Sequence, residues 1–471
     1  MPLRNLLIIL VVALQATLTW QRLPVAAQDE ETYEFYRLLV DVLDRVERNY
    51  VHEVDRKKLL RGAVEGMLRT LDPYSEFIAA DELPEFKEQT EGHFGGVGIS
   101  VEYDPRTGHL VVISPLPDTP AFHAGIVAGD RIVAVDGEPI KNLSMEEAIN
   151  RIKGPVGTKV TLSVLHPGAD EPVDITVTRQ DIKVESVKGW ERRPDGGWNW
   201  IVDPKYGIAY IRITQFTEST AEDLKKAVQE ARQQGMKALV LDLRFNPGGL
   251  LEAAVEVADI FLKAGQTIVS VKGRNVRSAE WKASGKGIAQ DLPIVVMVNH
   301  FSASAAEIVS AALQDNKRAI VVGRRTWGKG SVQNIIPLAD GRSALKLTTA
   351  EYYRPSGKNI HRRPGMTEQD EWGVVPDVEL PDMTPAQTRA FFAWLRDKDI
   401  IPNAKKPEQS RKKAKFDDFQ LQKAIEILRE RLQKGAKPGT KEGAERAADL
   451  AHPAPSLVIH RHDGERFVLA G

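Results

Sequence analysis

The chain has 471 residues, 42% hydrophobic and 27% charged, with a formal net charge of −1. That is enough for two or three domains with sizeable cores, and the balanced charge gives no reason to expect nucleic acid or an anionic membrane as partner. The absence of cysteine excludes disulfides, thiolate metal sites and a thiol nucleophile. The ten histidines show no zinc-type spacing and no His-Glu-x-x-His occurs, so neither metal nor cofactor is expected.

Met1-Pro-Leu-Arg4 is a short basic start, and Leu6 to Leu18 is apolar but short for a membrane span. Val25-Ala-Ala27 offers small residues for cleavage. Residues 1–27 read as a secretory signal peptide. An uncleaved anchor is the alternative, because Trp20 and Leu23 extend the apolar run. Either way the protein is expected outside the cytoplasm, as a periplasmic or other extracytoplasmic protein, and attached to the inner membrane if the anchor stays. Residues 28–90 read as helical. Phe35, Leu38, Leu39, Val42, Leu43 and Val46 recur at amphipathic spacing, and a second such segment runs from Lys57 to Leu71 and stops at Asp72-Pro73.

Residues 91–180 read as a β-rich module. It opens on Phe94-Gly-Gly-Val-Gly-Ile-Ser100. Asp118-Thr-Pro-Ala-Phe-His-Ala-Gly125, Gly129-Asp-Arg-Ile-Val-Ala-Val-Asp-Gly137 and a short helix, Ser144 to Ile152, follow. A glycine-rich hairpin without a ligand is one reading of the opening. The Gly129–Gly137 signature favours another, for in this order the segments resemble a PDZ domain. Such a domain captures a terminal carboxylate in a nest of backbone N–H groups and adds the peptide to a sheet edge. The resemblance implies that Gly96, Val97, Gly98 and Ile99 carry those N–H groups. Ala148 and Ile152 are expected to line the groove.

Residues 181–382 alternate strand-like runs (Gly207–Ile213, Ala238–Leu243, Ile294–Val298, Ala319–Val322) with helical patterns (Ala221–Gln234, Leu250–Leu262), as layered α/β domains do. Pro247-Gly-Gly249 falls between a strand and a helix, where a tight turn with exposed N–H groups is expected. Ser304 opens a helix running to about Leu313, and Lys329 lies in Thr326-Trp-Gly-Lys-Gly330. A serine can simply cap a helix, and a glycine-flanked lysine can simply be solvated. Together they suit a nucleophile and its base. A lysine base must titrate near 7–8 rather than 10.4, a shift worth about 4 kcal/mol that burial against Trp327, Val332 and the preceding strand is expected to supply. A phosphate-binding loop is disfavoured, since Gly330 stands where it needs Ser or Thr and Ser331 to Ile336 reads as extended.

The stretch Asn299–Asp315, the segment Trp327-Gly-Lys-Gly-Ser-Val-Gln333 and Leu241-Asp-Leu-Arg-Phe-Asn-Pro-Gly-Gly249 together resemble the carboxy-terminal processing (tail-specific) proteases, over roughly residues 30 to 435. That resemblance implies Ser304 as nucleophile, Lys329 as base and Gln333 as the residue orienting the lysine. It also implies an oxyanion hole from Gly248 or Gly249 with Ala305. Ala306 replaces the family's commoner serine at a position without a catalytic role. Gly373-Val-Val-Pro-Asp377 is similar to a late segment of the family's catalytic domain. The family adds dimerisation through the N-terminal helices, and substrates are proteins or peptides with free C-termini. Residues 383–435 are expected to be helical, with a charged helix at Lys415–Leu432 between linker-like Pro402–Ala414 and Gln433–Asp449. The tail, 436–471, carries no readable function. The expected fold class is therefore multidomain α/β: a layered serine-protease core, a β-rich PDZ domain and flanking helical segments. The activity expected is a Ser/Lys endopeptidase; the alternative is a non-catalytic peptide-binding scaffold on the same fold.

Overall fold

A computed structural model describes residues 26–401 and 414–434. The expected leader, most of the first linker and the tail lie outside the described residues. These residues group into two compact units, one of residues up to 79 with 335–347, the other of 80–334 with 348 onward. Among the described residues no helix is long and apolar enough to cross a membrane.

In the first unit, helix α1 (Ala26–Asn49) is followed by α2 (Arg56–Arg69), whose start is capped by the Asp55 carboxylate accepting from Lys57 N. A short strand, β1 (Glu76–Ile78), then pairs antiparallel with residues 344–346, and Lys346 meets Glu76 at 2.7 Å.

The second unit opens with the β-rich module. Strand β2 (His93–Gly96) pairs with β8 (Gln180–Lys183) as a separate ribbon. Between them β3 (Ile99–Asp104), β4 (His109–Pro115), β5 (Arg131–Val135), β6 (Lys159–Leu165) and β7 (Val173–Thr178) form one antiparallel sheet in that order. Helix α3 (Met145–Ile152) starts at Ser144, whose hydroxyl accepts from Glu147 N while Glu147 reaches back to Ser144 N. Two orphan donors are satisfied at once by this exchange. At its other end the Arg179 guanidinium donates to the carbonyls of Ile152 and Arg151 at 2.8 and 2.9 Å. Leu110, Ile132, Leu162 and Ala148 are among the residues of this module's own core.

Downstream, strands β9 (Ile208–Ile213), β10 (Ala238–Asp242), β11 (Ile294–Val298) and β12 (Ile320–Gly323) run parallel in that order. Val378–Glu379 adds beyond β12. Every residue of the four strands is buried, which is why they read as continuous apolar runs rather than alternating ones. Successive side chains leave on opposite faces. Leu239, Leu241 and Val296 pack with helices α4 (Thr220–Gln233), α5 (Leu251–Asp259) and α6 (Ala305–Asp315). On the other face Val240, Val295 and Ile320 pack with α8 (Phe419–Lys434). Helix α7 (Pro385–Asp399), opened by a Thr384/Gln387 capping box, falls in the region expected to be helical, where only the later helix was given bounds.

Candidate active site

Two loops at the carboxyl ends of neighbouring parallel strands build the site, where such sheets place their ligand crevices. The loop after β10 carries Phe245 to Gly249, and the loop after β11 carries Asn299 to Ser304. Side chains stitch them together. Asn299 Oδ1 accepts from Phe245 N at 2.9 Å and from Phe301 N at 3.1 Å. Ser302 Oγ donates to Leu243 O at 2.8 Å and accepts from Asn299 N at 2.9 Å. Ala303 N donates to Asn246 O at 2.9 Å. Ser302 is thus occupied as a structural hydroxyl.

Ser304 stands at the head of α6, 8% exposed, with φ 53° and ψ −114°. A non-glycine residue there is strained by about 1–3 kcal/mol. Its surroundings hold it in place. A Cβ added to Gly248 would lie 2.7 Å from Ser304 Cβ, so only glycine lets that turn close on the serine. A Cβ on Gly249 would fall still closer, 2.0 Å from the carbonyl oxygen of Phe216. Of the two expected oxyanion glycines, Gly248 donates its N–H to Asn246 Oδ1 at 2.8 Å and is committed in this conformation. Ala305 is the first residue of α6, so its N–H lacks an intrahelical acceptor, and the helix's positive end lies at the serine.

The sequence reading missed Glu307. This residue is 0% exposed, and its carboxylate joins both arms of the site. Oε2 accepts from Ser304 N and Lys329 N, each at 2.8 Å. Oε1 accepts from Gly328 N at 2.7 Å and from the Thr326 hydroxyl at 2.5 Å. Thr326 Oγ1 in turn accepts from Val374 N at 2.7 Å. Burial pushes the Glu307 carboxyl up to about 7, against the pull of those donors toward the ionised form. Its signal in the sequence was the spacing Ser304-Ala-Ala-Glu307, a capping box in form.

Lys329 is half-buried and follows Gly328, whose φ of 86° brings the loop against Arg362 and Trp372. Gln333 lies on the strand Ser331–Pro337 and donates its amide to Ser331 Oγ at 2.9 Å and Thr348 Oγ1 at 3.1 Å. Trp327, expected to help enclose the lysine, is 42% exposed and lies against His300, ring centroids 5.3 Å apart and tilted by 43°.

A second buried cluster lies beneath the β10 loop. Arg244 bonds Asp242 at 2.7 Å and Asp418 at 2.8 Å, and reaches Gln420 at 3.0 Å. Burial opposes its charge, but the two carboxylates outweigh it and hold the guanidinium well above its ordinary value. Tyr210 donates to Asp242 at 2.8 Å. The loop after β10 is thereby fastened to the start of α8.

In the β-rich module, Gly96, Val97 and Gly98 are buried between β2 and β3, with Ile99 half-buried. The carbonyls of Val97 and Gly98 accept from Ala121 N and Leu116 N, each at 2.9 Å, which ties the loop to residues 116–121. Ala148 and Ile152 correct the expectation. Both are buried in the module's core, because positions four apart share one helix face. The apolar residues of α3 that keep exposed surface are Met145 and Ile149.

Residues 207–380 match peptidase family S41, residues 85–165 match the PDZ domain, and residues 17–82 match the "Activating protease CtpB N-terminal domain". The chain is 38% identical to a carboxy-terminal-processing protease of Bartonella bacilliformis over 87% of this chain and 92% of that protein. It is 36% identical to a carboxyl-terminal-processing protease of Synechocystis, covering 68% and 71% respectively. A solved photosystem II D1 C-terminal processing protease is 31% identical, covering 73% of this chain and 92% of that one at a TM-score of 0.41.

Proposed function

The chain belongs to peptidase family S41, among the carboxy-terminal processing proteases with a PDZ domain, and on that footing we propose that it is an exported serine endopeptidase that selects substrates by their free C-termini. The observation that carries the catalytic assignment is Glu307, which accepts from the backbone of Ser304 and of Lys329 with the same oxygen. One buried carboxylate thus fixes both residues of a Ser/Lys pair.

In this mechanism Ser304 Oγ attacks the scissile carbonyl and gives its proton to Lys329 Nζ. The tetrahedral oxyanion is held by the N–H groups of Ala305 and Gly249, Gly248 being engaged by Asn246. The lysine ammonium then protonates the leaving amine as the C–N bond breaks, leaving an acyl ester on Ser304. Water, deprotonated by the neutral lysine, attacks the ester, and the returned proton frees the serine. Gln333 positions Lys329 through its amide oxygen, while its amide nitrogen stays on Ser331 and Thr348. The PDZ domain holds the substrate's tail through the backbone N–H groups of Gly96 to Ile99. Export is inferred from the Met1–Ala27 leader, and recovery of the mature protein in the cytoplasmic fraction would count against it.

The test is incubation of the full chain with a protein bearing an accessible C-terminal tail. Intact protein and Ser302→Ala should release a fragment with a new C-terminus, and Ser304→Ala should not. Equal cleavage by Ser304→Ala moves the nucleophile elsewhere. No cleavage by any form leaves a peptide-binding scaffold.

A further inference from the structure

A row of aromatic rings borders the reacting residues. Ring centroids step from Trp327 to His300 at 5.3 Å, to Phe301 at 5.8 Å, to Phe245 at 5.4 Å and to Phe392 at 4.8 Å. Beneath it the buried Phe391 stacks on Phe245 at 5.6 Å. Trp327, Phe301 and Phe392 are 42%, 45% and 48% exposed.

Its placement is tied to the catalytic loops. Phe301 precedes Ser304 by three residues, at most about 11 Å along the chain, and Trp327 precedes Lys329 by two, at most about 7 Å. The row therefore touches the nucleophile's loop, the oxyanion turn and the base's loop. Phe245 sits at φ 59°, a conformation a bulky residue rarely adopts. Its N–H and that of Phe301 share one acceptor, Asn299 Oδ1, and the two rings lie 16° from parallel. Backbone strain held to present a ring is a sign of use rather than of packing alone.

We propose that this row is the subsite for the substrate side chain next to the scissile bond, and that it takes a large apolar or aromatic residue. Exposed contiguous apolar surface on a folded protein marks a binding site. A permanent partner seated here would also cover the two loops that hold Ser304 and Lys329, so the occupant that fits is the transient one, the substrate chain. The inference rests on the proposed Ser304/Lys329 chemistry and adds a side-chain preference to it.

Peptides with a free C-terminus, varied to Ala, Leu, Phe or Asp at each position flanking the cleaved bond, test it on the full chain. At one position Phe or Leu should exceed Ala by about three- to tenfold in kcat/KM, the scale of one aromatic contact. That ratio should shrink toward one in Phe301→Ala and Phe392→Ala and persist in Phe301→Trp. An unchanged ratio in both Ala variants overturns the proposal, and the half-exposed positions make misfolding a poor excuse, checked by circular dichroism. A readout independent of turnover is cross-linking of a benzophenone-bearing peptide to the Ser304→Ala chain. Adducts at Phe301, Trp327 or Phe392 support the subsite, and adducts confined elsewhere refute it. If the intact chain cleaves no peptide, the Ser/Lys reading fails, while the cross-links still decide the subsite.

Discussion

Replacing Glu307 by Gln should damage the site more than any other isosteric change. The carboxylate accepts from two donors on each oxygen, whereas glutamine offers one acceptor oxygen and an NH2. If the NH2 replaces Oε2, the N–H groups of Ser304 and Lys329 both face a donor. The better orientation puts it at Oε1 and leaves the Gly328 N–H orphaned. Thr326 already accepts from Val374 N, so its hydroxyl must then find a new acceptor. An orphaned buried donor costs about 1–3 kcal/mol, and the two retained bonds lose roughly 1 kcal/mol each on becoming neutral. The expected loss is about 3–5 kcal/mol, placed between the nucleophile and the base. Urea unfolding should show reduced stability, and each ~1.4 kcal/mol expressed as misplacement lowers kcat/KM about tenfold. An unfolding free energy within about 1 kcal/mol of the parent, together with turnover within about threefold, would refute the reasoning.

Three further outcomes are expected. Lys329→Arg should be inactive at every pH, since arginine stays protonated and cannot serve as base; measurable turnover by that variant excludes the dyad. Glu307, raised to about 7 in the folded chain against 4.5 unfolded, holds its proton more tightly when folded. Its contribution to stability is therefore full below about 4.5 and lost as pH rises through 7, about 3 kcal/mol in all; denaturation midpoints across that window should fall in the parent and not in Glu307→Gln. Amidating the substrate's C-terminus should weaken binding about tenfold or more by removing a charge-assisted bond to the PDZ loop; equal cleavage of free and amidated substrates would show that tails are not read.

The parallel strands were legible because burial on both faces leaves an apolar run with nothing to confuse it. The observed bounds of β11, Ile294–Val298, coincide with the expected ones. Helix α7 lies in a stretch expected to be helical, but its own bounds were not read although Thr384-Pro-Ala-Gln387 carries its start signals. The turn at Gly248 was legible as a glycine turn, but which of two neighbouring N–H groups stays available depends on Asn246 folding back on the loop. Glu307 looked like an ordinary first-turn acid, since three of its four donors come from a loop about twenty residues on. Ala148 and Ile152 were identified by residue type. Their helix face was set instead by packing on the sheet, which buried them and turned Met145 outward.

Arg244 and its partner Asp418 are separated by 174 positions in the chain. Breaking a buried charge pair by removing one partner costs about 3–5 kcal/mol, so the loop after β10 depends on the start of α8 for its stability. Segments distant in the chain thus share one buried charge network, and a substitution at Asp418 should be felt in the loop that carries Gly248 and Gly249.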